Sequence, residues 1–224
     1  MIVKTKNETR NIVIPGEVLG DVKEKKSGYG TFSEDGKIIS KFLGIPKDSS
    51  GYLSVVPLSG VYVPRREDKV IGFIISVEKV GWVVDINSAW SAFLSLSEAV
   101  DEFVDLKRTN IRRFYDVGDI IYAQVSDVRG GDVQLSMNTP IARKLRDGVT
   151  IKITPSKVPR LIGTKGSMIN TIKEKTKTII RVGQNGIVWI SGEKIDKAIR
   201  AVKLIEEKSH IIGLTEEITK LLSD

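Results

Sequence analysis

The chain has 224 residues, 41% hydrophobic and 28% charged, which is a balance typical of folded soluble proteins with two or three small domains. It has no cysteine and one histidine, so disulfides, thiolate zinc sites, cysteine nucleophiles and histidine clusters are excluded. No stretch approaches the roughly 20 apolar residues of a membrane span and the N-terminus lacks a signal-peptide layout, so we expect a cytoplasmic protein with no membrane partner.

The first block of the chain, from Ile12 to Val63, contains short apolar runs broken by glycine and proline. Examples are "IVIPGEVLG", "SGYGTF" and "GYLSVVPLSGVYVP". Such runs are typical of short strands joined by tight turns. We therefore predict a small N-terminal β domain over residues 1–64.

The second block follows the charged link "RREDK" and again reads as strands. The runs "VIGFIISVEKVGWVVDI", "SAFLSL", "DIIYAQVSDV" and "GDVQLSM" are separated by turns and by one short helical stretch, "SEAVDEFVD". Five strands in this rhythm predict a small closed barrel over residues 65–140.

The third block, residues 141–224, switches to an α/β pattern. "VTIKITP" alternates apolar and polar residues as a half-buried strand does, and Met168, Ile169 and Ile172 form a helical stripe after a glycine turn. Two strands, "KTIIRV" and "IVWISG", precede a helix that begins near Gly192. The predicted order is strand, helix, glycine turn, helix, strand, strand, helix, followed by a packing helix with Ile218, Leu221 and Leu222 on one side.

The positive charge of the chain is concentrated in this third block. Residues 1–140 hold 18 Lys and Arg against 19 Asp and Glu, whereas residues 141–224 hold 17 against 9. Residues 141–177 alone carry 10 basic residues and two acids. A local basic field of this kind attracts a polyanion, although a solvated helix face would look the same.

The glycine turn at residues 163–166, "GTKG", is a candidate seat for a phosphate group. Glycine permits close backbone approach and positive φ, and the helix that follows offers free N–H groups and the positive end of its dipole. The turn and its surrounding element order resemble the KH domain, whose GxxG loop holds single-stranded RNA. The resemblance implies an RNA site formed by Arg160, Ile162, Gly163, Thr164, Lys165, Gly166, Ile169 and Val182.

The barrel resembles the S1 RNA-binding domain, an OB-type fold, over about residues 69–137. S1 domains bind RNA by stacking bases on aromatic residues of the second and third strands, together with a histidine. This chain has Val80 and Val83 at the positions of the two aromatics and Ser95 at that of the histidine. Trp82 and Phe93 remain as aromatics, each at least as well suited to a core or an interface.

As a whole, the chain resembles the RNA-binding cap protein of the exosome, the archaeal form in particular. "IVIPGE", "GYGTF" and "GQNGIVWI" carry the resemblance, and the last contains a signature turn of Gly183, Asn185 and Gly186. The fold implied is multidomain and mostly β, with an S1 barrel and a C-terminal KH domain. The function implied is that of a non-catalytic subunit without metal or cofactor. Three copies would sit on a six-membered RNase-PH-like ring, and another cap protein could replace some of them. The copies would guide single-stranded RNA into the pore of the ring, and A-rich strands are one candidate class of RNA.

Basic residues of the barrel are candidates for the pore, with a solvated surface as the alternative for each. They are Arg65 and Arg66 in the link and Lys107, Arg108, Arg112 and Arg113 in the long loop before the fourth strand. The N-terminal β domain is expected to dock on the ring, with "GYGTF" at residues 28–32 as a structural or docking turn.

Two other functions compete with this one. S1 and KH modules also occur at the tail of polynucleotide phosphorylase and beside nuclease domains, but only about 65 residues remain outside the two modules, and they contain no acidic cluster. A stand-alone S1/KH RNA-binding or translation-associated protein stays open. It would be monomeric and would not bind RNase-PH-like subunits.

Overall fold

The structure, a computed structural model, describes residues 12–100, 104–105, 109–209 and 214–222. The chain divides into two compact units, one ending at Gly60 and the other beginning at Val61.

From residue 12 onward, the first unit contains six short strands in two sheets, as the glycine- and proline-broken runs predict. One sheet has the order β1-β4-β3 and the other the order β2-β6-β5. Ile38, Leu53 and Val55 are buried between them. The strands are β1 (Val18–Asp21), β2 (Lys26–Ser27), β3 (Thr31–Glu34), β4 (Lys37–Ser40), β5 (Gly44–Ser49) and β6 (Tyr52–Pro57).

The turn at residues 28–32 packs tightly against β6. A Cβ on Gly28 would lie 2.2 Å from the Ser54 hydroxyl, and one on Gly30, at φ 74°, would lie 2.5 Å from the Val55 carbonyl oxygen. The Thr31 hydroxyl donates a hydrogen bond to the Leu53 carbonyl at 3.0 Å. These contacts give the turn a structural role inside the unit.

The predicted five-stranded barrel is confirmed. β7 pairs with β8 and β10, β8 with β9, and β9 with β11, and the pairing of β11 with β10 closes the ring. Trp82, Val84, Leu94 and Leu135 are fully buried inside it. The elements are β7 (Lys69–Glu78), β8 (Gly81–Asp85), β9 (Ala92–Ser95), α1 (Leu96–Ala99), β10 (Ile120–Arg129) and β11 (Asp132–Ser136). The helix predicted at residues 97–105 is only one turn, α1, in the described part.

The predicted element order of the third block is also confirmed. A sheet of order β13-β15-β14 is covered on one face by the helices, with Ile172, Val188, Ile190 and Val202 in the shared core. The elements are β13 (Val149–Lys152), α2 (Val158–Ile162), α3 (Ser167–Thr176), β14 (Thr178–Val182), β15 (Ile187–Gly192), α4 (Ile195–Glu207) and α5 (Leu214–Leu221).

Helix α5 packs as predicted, apart from one residue. Ile218 and Leu222 are buried, but Leu221 is 38% exposed, because a helical repeat of 3.6 residues moves it off the stripe that contains the other two. Within the described ranges, no helix is both long and apolar enough to cross a bilayer.

The barrel and the third block share a small hydrophobic cluster. Ile71 and Tyr122 from the barrel pack with Ile187 and Trp189 from β15. Leu145 completes the cluster from a short strand, β12 (Arg143–Leu145), which pairs with β10. The barrel sheet thus extends past the boundary we predict at residue 140.

The link before the barrel is ordered and belongs to the barrel. The Tyr62 hydroxyl donates to Asp68 at 2.7 Å, and burial, followed by that hydrogen bond, raises its pKa far above the ordinary value. Because Tyr62 lies in the barrel core, the second unit begins upstream of residue 65, where we predict the boundary.

Candidate nucleic-acid interface

The glycine turn between α2 and α3 has an unusual backbone. Gly163, Lys165 and Gly166 have φ values of 75°, 52° and 82°, so three of its four residues lie at positive φ. L-residues avoid this region because Cβ crowds the following carbonyl, and a lysine held there is a strained feature that often marks a functional site. Thr164 and Lys165 are exposed.

The two glycines of the turn meet different surroundings. A Cβ on Gly163 would lie 2.8 Å from the Met168 backbone nitrogen, so that position is closed by the protein itself. A Cβ on Gly166 would find nothing nearer than the Asn170 side chain at 3.6 Å. Gly163 is therefore needed to form the turn, whereas Gly166 presents bare backbone to open space.

The start of α3 offers positive potential to a ligand. Gly166 is its N-cap, no side chain caps the first-turn N–H groups, and the first turn has no acidic residue. Lys165 precedes it, and Arg160 lies in the last turn of α2. The Ser167 N–H already donates to the Thr164 carbonyl, and it is the helix dipole and these two cations that favour an anion at this position.

Three apolar residues predicted to wall the RNA site, Ile162, Ile169 and Val182, belong to one hydrophobic cluster. Ile169 is buried, and Ile162 and Val182 are partly buried against the same core cluster. The three side chains come from α3, α2 and β14, so the fold brings them together from separated parts of the sequence. Partly exposed apolar side chains such as Ile162 and Val182, on elements next to a turn that favours an anion, are suited to unpaired bases.

Two further cations lie where α3 and β14 meet. Partial burial lowers the pKa of Lys173, and the positive charge of nearby Arg181 lowers it further. These two cations add to the positive potential of the third block. The sequence offers no signal for this pair beyond the general basic excess.

The segment that leads into α2 is clamped by Glu206 of α4. Its carboxylate accepts hydrogen bonds from the Thr154 N–H at 2.7 Å and from the Thr154 hydroxyl at 3.0 Å. Burial alone would raise the pKa of Glu206, but these bonds and the Lys203 ammonium at 3.0 Å hold it below the ordinary value. The clamp fixes the approach to the glycine turn.

The three signature residues of the turn at residues 183–186, Gly183, Asn185 and Gly186, are buried. Asn185 is fully buried, and its side-chain amide donates to the carbonyl oxygens of Ile71 at 2.7 Å and Ile86 at 2.8 Å. A Cβ on Gly183 would lie 2.1 Å from the Asn185 Oδ1 atom, and one on Gly186 would lie 2.3 Å from the Ile153 carbonyl oxygen. The turn therefore joins the third block to the barrel through buried hydrogen bonds.

The basic residues predicted for the pore are only partly described. Arg65 and Arg66 are exposed in the link, and Arg112 and Arg113 are exposed in a 3-10 turn, residues 111–113. Arg112 pairs with Asp116 at 2.7 Å, and Arg113 lies 4.5 Å from the ring centroid of Phe114. Lys107 and Arg108 lie outside the described residues.

The aromatic residues of the barrel differ in exposure. Trp82 is fully buried and donates to the Tyr115 carbonyl at 2.7 Å, so it is a core residue and offers no stacking face. Phe93 is partly buried. Two residues of the β8–β9 loop are not predicted as site residues from the sequence. The Asn87 side chain donates a hydrogen bond to the Asn185 carbonyl at 2.9 Å, and Trp90 is exposed.

Among the described residues, no group of three or more His, Asp or Glu side chains is placed to hold a metal ion.

Comparison with family models divides the chain into three matching parts. Residues 12–45 match the "Exosome complex exonuclease RRP4 N-terminal region", residues 61–127 match the "RRP4, S1 domain", and residues 148–207 match the KH domain. The last range contains the glycine turn and the signature turn.

Curated relatives match nearly the whole chain. The exosome complex component Rrp4 of Pyrococcus abyssi is 42% identical over 221 residues, covering 96% of this chain and 83% of the relative. That of Picrophilus torridus is 40% identical over 218 residues, covering 96% and 93%. A crystal structure of a protein described as an exosome complex RNA-binding protein superposes with a TM-score of 0.67 at 34% identity, covering 73% of this chain and 96% of that one.

Proposed function

Because the chain belongs to the Rrp4 family of exosome components, we propose that it is a non-catalytic RNA-binding subunit of an exosome that degrades RNA from the 3′ end. The S1 and KH parts of the chain are RNA-binding folds, and the curated relatives are named as components of the exosome complex. The subunit captures single-stranded RNA, A-rich strands being one candidate class, in the cytoplasm.

The observation that carries the proposal is the open backbone at Gly166. The turn places a glycine at positive φ, a strained exposed lysine and an uncapped helix start at one point, beside the apolar wall of Ile162, Ile169 and Val182. A phosphate can approach the backbone where any side chain would stand in its way, and the bases can pack on the wall.

The assembly part of the proposal concerns the partners. Three copies of the chain, or copies mixed with another cap protein, sit on a six-membered ring of RNase-PH-like subunits. The ring supplies the phosphorolytic site, and basic residues such as Arg65, Arg66, Arg112 and Arg113 lie along the route of the RNA into the pore. Exposed apolar side chains of the first unit, Ile12, Ile14 and Val18 among them, are suited to holding the chain on the ring.

The RNA site is tested by titrating short single-stranded RNA against full-length variants. Gly166→Asp adds a side chain and a negative charge where phosphate is expected, so it should abolish detectable binding. Lys165→Ala should weaken binding mildly and reduce the salt dependence by roughly one phosphate contact. The full chain is required, because an excised third block would expose Ile187 and Trp189, which pack on the barrel.

Thermal melting is the control for this titration. The turn is on the surface and Gly166 has room for a side chain, so Gly166→Asp should fold and melt only slightly below the wild type, by the small cost of its positive φ. Equal affinities of a folded Gly166→Asp and the wild type would mean that the turn is only a connector, leaving ring docking as the main role.

The docking role of the first unit is tested by a deletion that ends at Gly60, so that Tyr62 stays in the barrel core. RNA binding should persist, and comigration with RNase-PH-like subunits in size exclusion should be lost. Retained comigration would move the docking surface to the second unit. A wild-type chain that never comigrates would favour the stand-alone RNA-binding protein.

A further inference from the structure

Trp90 is the exposed tryptophan of the chain. Its side chain is 45% exposed, whereas Trp82 and Trp189 are 0% and 6% exposed and belong to hydrophobic clusters. Trp90 belongs to none of the three clusters of the described residues. Leaving a large aromatic face in water is unfavourable, so it requires an explanation.

The indole is held in place by its surroundings. The Ser88 hydroxyl donates to the Trp90 carbonyl at 2.6 Å and accepts from the Trp90 N–H at 3.1 Å, which closes the loop beneath the side chain. Gly131, in the β10–β11 turn, lies against the indole, since a Cβ there would be 2.9 Å from Nε1 and 3.1 Å from Cδ1. One edge of the ring therefore lies against glycine while nearly half of the residue stays exposed, and little freedom is lost when a partner binds.

The loop that carries Trp90 is attached to the KH part of the chain. Asn87 donates to the Asn185 carbonyl of the signature turn at 2.9 Å, and Asn185 in turn binds the carbonyl of Ile86. Ser88 forms a bridge with Tyr62, just upstream of Arg65 and Arg66. The indole and the glycine turn thus belong to the same compact unit.

We propose that the Trp90 indole is a stacking platform for an unpaired base of single-stranded RNA, seated on Gly131 and separate from the glycine turn. This site rests on the proposed RNA-binding function and extends it to the S1 barrel. Stacking on an aromatic face is independent of the base identity, so the platform takes any single-stranded sequence.

The surroundings of Trp90 favour a base over a protein partner. The loop reads Asn-Ser-Ala-Trp-Ser over residues 87–91, so the neighbours of Trp90 along the chain are small or polar. A protein interface needs a contiguous apolar core, whereas a base needs one π face and a polar rim. Arg129, 86% exposed and paired with Asp127 at 2.7 Å, directly precedes the turn that seats the indole and offers a cation to the adjoining phosphate.

The test compares two ligands with the full-length chain. One is a twelve-nucleotide oligo(U), and the other is an abasic sugar-phosphate chain of the same length. Trp90→Ala should weaken oligo(U) binding by about 5- to 100-fold, and Trp90→Phe by much less, since alanine removes the whole π face. Abasic-chain binding should be unchanged in both variants. Val117→Ala, at another exposed apolar position of the barrel, is the matched control.

Fluorescence gives an independent readout. Because the other two tryptophans are buried, acrylamide should quench mainly Trp90, and oligo(U) should protect it. Three results would each overturn the platform. They are an unchanged oligo(U) affinity of Trp90→Ala, an equal loss of affinity for both ligands, and altered binding of RNase-PH-like subunits with unaltered RNA affinity. If Gly166→Asp abolishes binding while Trp90→Ala does not, only the platform fails; if neither matters, the proposed function fails too.

Discussion

The Asn185 side chain donates a hydrogen bond to the Ile71 carbonyl at 2.7 Å and, through Oδ1, accepts one from the Ile71 N–H at 3.4 Å. A residue of the KH part thereby pairs with a barrel strand as a neighbouring strand would. Both residues are fully buried, so this pairing and the apolar cluster around Ile71 join the S1 and KH parts into one unit.

Replacing Asn185 with alanine should destabilise the second unit by about 2 to 4 kcal/mol, because the Ile71 and Ile86 carbonyls would lose buried donors. Chemical denaturation measures this loss. Gln184→Ala is the matched control, since the exposed Gln184 side chain accepts one bond, from the Lys69 N–H at 2.6 Å. Equal stabilities of the two variants would mean that the buried hydrogen bonds of Asn185 do not stabilise the second unit.

Alanine substitutions at the two glycines of the turn should destabilise the chain to different extents. Gly163→Ala should cost about 3 kcal/mol, since its Cβ meets the Met168 backbone, whereas Gly166→Ala should cost about 1 kcal/mol from its positive φ alone. Thermal melting of the two alanine variants checks the difference. If Gly163→Ala melts no lower than Gly166→Ala, the turn is not packed as described.

Charge reversal at Arg112 and Arg113 should slow RNA decay by the assembled complex without changing the RNA affinity of the free chain. Both side chains are exposed, so the reversed charges would repel RNA that passes the barrel. Arg200→Glu on the exposed face of α4 is the control for a general charge effect. An undiminished decay rate in the double variant would remove these residues from the RNA path.

Glu206→Gln should show a pH-dependent stability. The pKa of Glu206 is lowered in the folded chain, so its carboxylate contributes stability above its ordinary pKa of 4.5 and loses it as the pH falls through the lower folded value. The variant should be less stable than wild type by about 0.5 kcal/mol at neutral pH, and the difference should shrink below pH 4.5. Denaturation at several pH values, with the exposed neighbour Glu207→Gln as control, measures it; a difference independent of pH would contradict the clamp.

Local sequence patterns predict the element order of this chain well, because each element depends on residues that are close together in the sequence. The alternation in "VTIKITP", the stripe of Met168, Ile169 and Ile172, and the glycine turn are each visible within a few positions. The barrel was likewise predicted from five strands with turn residues between them.

Features that depend on distant residues could not be predicted in the same way. Asn185 and Ile71 lie 114 residues apart, and no short sequence pattern predicts that the Asn185 side chain will form buried hydrogen bonds with a barrel strand. Trp90 and Gly131 meet only because β9 and β11 run parallel beside each other. The pairing of β12 with β10 shifts the predicted boundary at residue 140 for the same reason.

The central claim is that this chain captures RNA for a ring that degrades it, and the most direct test is the decay rate of single-stranded RNA. The rate is measured with the chain alone, the RNase-PH-like ring alone, and the ring with wild-type or Gly166→Asp chain. We predict no decay by the chain alone, faster decay by the ring with wild type, and a return toward the rate of the ring alone with a comigrating Gly166→Asp chain. Decay by the chain alone, or equal acceleration by both chains, would contradict the account.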